Sequence, residues 1–127
     1  MPSAPEAGEV LLLRLPIHTP PGREQQGLRP VLVVAEPRRA GKTRFEMVFS
    51  APLTSQYKAW IKVDPGLYPL LKRGVGGLTH DSAVLLEHAR GVDAARVVRR
   101  LGKLTPEQYA PVRQLLEKMF DFKAGAL

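Results

Sequence analysis

The chain contains no cysteine. That excludes disulfides, thiolate metal sites and cysteine nucleophiles, and it fits a reducing cytoplasm. Aromatic residues are few: four Phe, three Tyr and one Trp. They form no ladder of the kind on which sheet-type readers stack RNA bases. No apolar run approaches the ~20 residues of a membrane helix. The first residues lack a charged-then-apolar leader, so a cytoplasmic location is expected and a membrane partner is not. The three histidines, His18, His80 and His88, fit neither HxxxH nor HExxH, so no metal and no cofactor is expected. No GxSxG elbow supports a Ser-His-Asp triad, although one sequence leaves such a triad open. The run Gly74-Val75-Gly76-Gly77 lacks the Lys-Ser/Thr of a P-loop and reads as a mobile loop.

What is present is one domain's worth of chain, 127 residues with 44% hydrophobic content. That suffices for a core without a disulfide or metal staple. Lys and Arg total 19 against 12 acids, a formal charge of +7. An excess of this kind points to a polyanionic partner, nucleic acid or an acidic protein. Arg90, Arg96, Arg99, Arg100 and Lys103 lie in a stretch with Asp93 as its one acid. They could draw a polyanion from a distance.

Pattern predicts many short strands and one terminal helix. Residues 1–8 are Pro- and Ala-rich and read as a loose tail. Residues 9–15 (EVLLLRL) and 29–35 (RPVLVVA) are continuous apolar runs, expected as strands buried on both faces. Between them, residues 16–28 form a long Pro- and Gly-containing loop, a length that is often functional. Residues 36–43 read as a basic turn. Residues 45–53 read as a third strand and 60–63 as a fourth. Residues 64–81 are irregular, with one helical turn over 67–71. Strands come next at 82–87 and 97–101, with a turn at 92–96. Thr105-Pro106-Glu107-Gln108 fits a capping box. Tyr109, Val112, Leu116, Met119 and Phe120 then recur at helical spacing. Pro111 should kink that helix or confine its regular part to the residues beyond the ring. The sum is mainly β with helices, a small barrel and not a doubly wound sheet.

Two junctions stand out. Arg29 sits where a loop enters a strand, directly before Pro30. Thr54 sits where another strand ends. Side chains at such strand ends can meet over one rim of a barrel.

Four ordered blocks resemble the MazF/PemK toxin family. They are Gly22-Arg23-Glu24-Gln25-Gln26-Gly27-Leu28-Arg29-Pro30, then Pro52-Leu53-Thr54-Ser55-Gln56, then residues 82–93 (SAVLLEHARGVD), then residues 101–105 (LGKLT). The resemblance runs from Gly8 to about Phe120. It implies an SH3-like small β-barrel of the MazF, CcdB and Kid type with a C-terminal α-helix. It implies a single toxin domain over residues 1–127, a homodimer, and a MazE-like acidic antitoxin as protein partner. It further implies metal-independent cleavage of single-stranded RNA at short sequences. Arg29 matches the family's catalytic arginine, Thr54 its catalytic threonine, and Glu24 a supporting loop acid. Arg23, Gln25, Ser55, Gln56, Glu87, His88 and Arg90 are candidate RNA contacts. The chain departs from the family at Arg23, where a small residue is common. It departs again at His88 for Gln and at Gly91 for Thr or Ser. Those departures bear on which RNA sequence is read. A non-catalytic toxin on the same barrel, like the CcdB-type gyrase poisons, and a simple RNA-binding barrel are the rival readings.

Overall fold

The computed structural model describes residues 4–15 and 27–120. Seven strands form one antiparallel sheet: β1 (Glu9–Leu15), β2 (Gly27–Ala35), β3 (Met47–Thr54), β4 (Leu70–Leu71), β5 (Ser82–Val84), β6 (Arg90–Asp93) and β7 (Val97–Lys103). A single helix, α1 (Pro106–Phe120), closes the described chain. The strand order is β4-β5-β3-β2-β1-β7, and β6 pairs with β3. β3 is the joint of the sheet. One edge pairs with β2; the other pairs first with β6 and then with β5. A strand that changes partner along its length bends the sheet, and register shifts between β1 and β7 bend the opposite side. The pattern predicts a mainly β small barrel with a terminal helix, and the structure has that class, its sheet curled into a half-barrel with a C-terminal helix.

The apolar continuity of β1 and β2 has the expected cause, since both faces are covered. Val10, Leu32, Val34, Ala51, Leu53 and Val84 point toward α1 and meet Leu104, Tyr109 and Val112. Leu11, Leu13, Leu15, Val31, Val33, Val48 and Val92 fill the other face. The split obeys the two-residue period of a strand. The capping box is closed in both directions. The Gln108 N–H donates to Thr105 Oγ1 at 3.2 Å, and the Thr105 N–H donates to Gln108 Oε1 at 2.8 Å. α1 continues through Pro111 as one span. The ring removes only the bond to the Glu107 carbonyl, one turn from the cap. Of the predicted apolar face, Tyr109 and Val112 are buried, while Met119 and Phe120 are exposed.

Several expectations change. No helical turn covers 67–71: a 3-10 turn lies earlier, at Pro65–Leu67 beside the fixed φ of Pro65, and Leu70–Leu71 is the strand β4 paired with β5. Residues 60–63 are not a strand. Trp60 and Ile61 both donate N–H to the Tyr57 carbonyl, and a 3-10 turn spans Ile61–Val63. Local bonds next to Asp64-Pro65-Gly66 outcompete a ladder. Likewise the strand expected over 82–87 stops at Val84, and Leu86–His88 is a 3-10 turn. The turn expected at 92–96 begins as the strand β6 and becomes a 3-10 turn only at Ala94–Arg96. Composition predicts a loose tail over residues 1–8, yet its described part is fastened. The Gly8 N–H donates to the Val33 carbonyl at 2.8 Å, and the Leu104 N–H donates to the Gly8 carbonyl at 2.8 Å. The Ala7 N–H donates to Glu36 Oε2, and Lys103 Nζ pairs with Glu6 at 2.6 Å. Burial of Glu9 and Glu36 beside cations made this possible, and no local composition signal carries it.

Candidate active site

Backbone register brings the two junction residues together. The last β2–β3 pair is Val31 with Pro52. In an antiparallel pair the residues just before Val31 and those just after Pro52 lie at the same end, so Arg29 and Thr54 fall at one end of the β2–β3 ladder. The start of one strand and the end of its neighbour thus share one rim. Arg29 and Thr54 line the same cleft, whose volume is about 350 Å³. A third strand adds a cation. β1 pairs Leu12 with Pro30 on one side and with Arg99 on the other. Pro30, Leu12 and Arg99 therefore form a row across three strands. Leu12, Leu53 and Leu101 supply apolar lining.

The far wall begins with the segment 74–77, expected as a mobile loop. It instead packs backbone to backbone on β7. Gly77 has φ +77°, and a Cβ there would lie 2.1 Å from the Leu101 carbonyl oxygen. A Cβ on Gly102 would lie 2.6 Å from the Gly76 carbonyl carbon. Only glycines permit this approach, which sets Gly77, Leu78, Thr79 and His80 along the cleft. His80 is held through Nδ1, 2.9 Å from Thr79 Oγ1.

Thr54 is oriented from its own turn. Its Oγ1 accepts the Gln56 N–H at 3.1 Å, which leaves the hydroxyl proton free to be donated. The Gln56 carbonyl accepts Trp60 Nε1–H at 2.9 Å, so the indole pins the turn that carries Thr54, Ser55 and Gln56. Among the described residues, the cleft lining includes Arg29, Arg99 and His80 and no carboxylate. The arrangement can oppose a growing negative charge with guanidinium and hydroxyl donors.

The predicted site residues divide into three groups. Arg29, Thr54, Ser55 and Gln56 come together in the cleft. Glu87, His88 and Arg90 do not line it. Glu87 accepts a short hydrogen bond from the Tyr68 hydroxyl, and His88 lies 3.9 Å from Glu87. That bond pushes the Tyr68 pKa up to about 12, with burial and the Glu87 charge adding to it. Tyr68 packs edge-on against Trp60 at 4.8 Å. Arg90 is on β6, paired with Ser50. Arg23, Glu24 and Gln25, with His18, lie outside the described residues. Arg99 and His80 are cleft residues that sequence reasoning missed. The alternation of Arg99 with Leu101 on one strand face was the available signal for Arg99. For His80 no local pattern existed.

The family model of PemK-like, MazF-like toxins of type II toxin-antitoxin systems matches residues 6–120. The chain belongs to this family. It is a MazF/PemK toxin of a type II toxin-antitoxin system. Among solved structures, a MazF from Deinococcus radiodurans is 27% identical, with 94% of this chain and 98% of that one covered and a TM-score of 0.67. A MazE-MazF crystal structure from the same organism is 26% identical, with 95% and 99% covered and a TM-score of 0.68. An endoribonuclease in complex with its cognate antitoxin, from a mycobacterial species, is 19% identical, with 93% and 94% covered and a TM-score of 0.64. That last likeness speaks for the fold alone. No curated protein matches the chain. No described helix is long and apolar enough to cross a membrane.

Proposed function

We propose that this toxin is a metal-independent endoribonuclease that cuts single-stranded RNA at short sequences, mRNA included. The observation that carries the reading is the shared cleft of Arg29 and Thr54, which stand at the same end of the paired strands β2 and β3. RNA brings its own nucleophile. The ribose 2′-oxygen attacks the adjacent phosphorus, and the new O2′–P bond forms as the P–O5′ bond breaks. The products are a 2′,3′-cyclic phosphate and a 5′-hydroxyl end. One proton leaves the 2′-OH and one reaches the departing 5′-oxygen. Negative charge gathers on the non-bridging oxygens in between. The Arg29 guanidinium offers paired donors to that charge, and the Thr54 hydroxyl adds another. Arginine stays protonated, so it is a poor proton acceptor. Glu24 is the proposed acceptor, with supporting contacts from Arg23 and Gln25 on the same loop. Ser55 and Gln56 read exposed base edges beside the scissile bond. Glu87, His88 and Arg90 are placed further along the RNA.

Two assembly expectations accompany this reading. The toxin domain, residues 1–127, acts as a cytoplasmic homodimer. A MazE-like antitoxin with an acidic tail covers the cleft, attracted by the +7 charge. The experiment is direct. Purified toxin is incubated with a long single-stranded RNA in EDTA, and the ends are mapped. Cuts at few sites with cyclic phosphate ends support the reading. Intact RNA at micromolar toxin sinks it, and RNA retention without cuts would leave a binding barrel only.

A further inference from the structure

A second concavity, of about 310 Å³, adjoins the cleft and shares Ser55, Thr79 and His80 with it. Beyond that shared ridge it is lined by Lys58, Arg73 and Asp81, with Tyr57 beneath. Lys58 and Arg73 come from different segments, one after β3 and one after β4. Both are exposed, and among the described residues neither is ion-paired with a carboxylate. Asp81 is the one acid present, and its Oδ1 accepts the backbone N–H of Arg73 at 2.7 Å. It fixes the Arg73 backbone while the two side-chain charges outnumber it.

We infer that this concavity is a phosphate-binding extension of the cleft, in which Lys58 and Arg73 hold the backbone of the RNA strand that flanks the Arg29–Thr54 pair. The inference rests on the RNA reading of the cleft. An acidic peptide is the other polyanion such cations would attract. A peptide that binds well usually anchors an apolar side chain in a pocket. Here the only aromatic lining residue, Tyr57, is itself buried at 8% exposure. What remains open is hydroxyl, imidazole and cation, a lining suited to a strand's regularly spaced phosphates. The shared ridge also gives a continuous route, so one strand can occupy both concavities.

The test measures binding of labelled 2′-O-methyl oligonucleotides, which lack the attacking hydroxyl and stay intact. Two lengths are used, about 4 and about 12 nucleotides, spanning the usual range of single-strand site sizes. The double variant Lys58→Glu/Arg73→Glu should weaken the long probe at least ~10-fold more than the short one. Its salt slope on the long probe should fall by about 1.4, the equivalent of two phosphate contacts at ~0.7 each. Asp81→Asn keeps the Oδ1 acceptor and removes the charge, so it should tighten the long probe severalfold, a gain that misfolding cannot produce. Equal weakening of both lengths, an unchanged salt slope, or no gain from Asp81→Asn would overturn the inference. So would loss of polyglutamate binding with RNA binding intact, which would assign the surface to an acidic peptide. Cleavage by the unmodified toxin is scored separately. If the RNA is not cut yet the length dependence holds, only the cleavage reading fails.

Discussion

The two ends of β1, β2 and β7 treat charge in opposite ways. At the end holding Glu9, Glu36 and Lys103, cations meet carboxylates. Glu36 pairs with Arg38 at 3.1 Å and with Arg39 at 3.3 Å, Glu9 with Arg100 at 3.5 Å, and Glu6 with Lys103 at 2.6 Å. At the other end, Arg29 and Arg99 line a cleft with no described carboxylate. The net charge of +7 is therefore not spread evenly. Glu6, Glu9 and Glu36 hold residues 6–8 to the sheet, while the described lining of the cleft carries cations alone. A cation bonded to a carboxylate that also holds residues 6–8 serves the fold, whereas Arg29 and Arg99 line a cleft that can receive a polyanion.

The contrast can be broken most forcefully at the cleft. Arg29→Ala should lower the cleavage rate by ~10²–10³ or more, the usual effect of losing one charge-stabilising donor. Its thermal midpoint should stay close to that of the unmodified toxin, since Arg29 is exposed. A parallel loss of stability would show that Arg29 serves the fold after all. The opposite end predicts the opposite split. The Glu36 side chain is 7% exposed and accepts the Ala7 N–H as well as its arginine partners. Glu36→Ala should cost ~1–3 kcal/mol in denaturant unfolding and leave the cleavage rate nearly unchanged. An effect on rate without one on stability would contradict this division.

Smaller effects sharpen it. Tyr68 should titrate near 12 by its absorbance, because its hydroxyl donates to Glu87. Glu87→Gln should move that titration down toward the ordinary tyrosine value. No movement would mean that burial, and not Glu87, sets it. The raised value favours the neutral phenol in the fold, so this contribution is present below the ordinary range and lost as pH rises through about 12. The smallest effect concerns Glu6 and Lys103, both exposed. Their hydrogen bond holds Glu6 below the usual carboxylate range and Lys103 above the usual amine range. The Glu6 contribution is present above its unfolded value and lost as pH falls through the folded one. The Lys103 contribution is present below its unfolded value and lost as pH rises through the folded one. Hydrogen exchange at Gly8 should therefore be slowest between those limits, and Glu6→Gln should flatten the profile.

Much of the site was legible before folding, for a definite reason. Arg29 beside Pro30 lies near a strand's start, although β2 begins two residues earlier at Gly27; Thr54 marks a strand's end, and Ser55 and Gln56 travel with Thr54 in its turn. Such neighbours need no tertiary knowledge. Glu87, His88 and Arg90 were less legible, because a strand expected over 82–87 gives way at Leu86 to a 3-10 turn that carries Glu87 to Tyr68. Residues 60–63 misled for a similar reason, since Trp60 is committed to bonds with Tyr57 and Gln56.

By itself the sequence determined the strands β1, β2 and β3, the capped helix, the positive charge and the family blocks. Each of these is a local or additive property of the chain. The tertiary structure alone decided that Arg99 and His80 join Arg29 and Thr54, that Gly76 and Gly77 press on β7, and that Ala4 to Gly8 is no loose tail. Those facts depend on register between strands far apart in the chain and on which acids find which cations. Period-two patterning says which face a residue takes, but not which residue of another strand it will face.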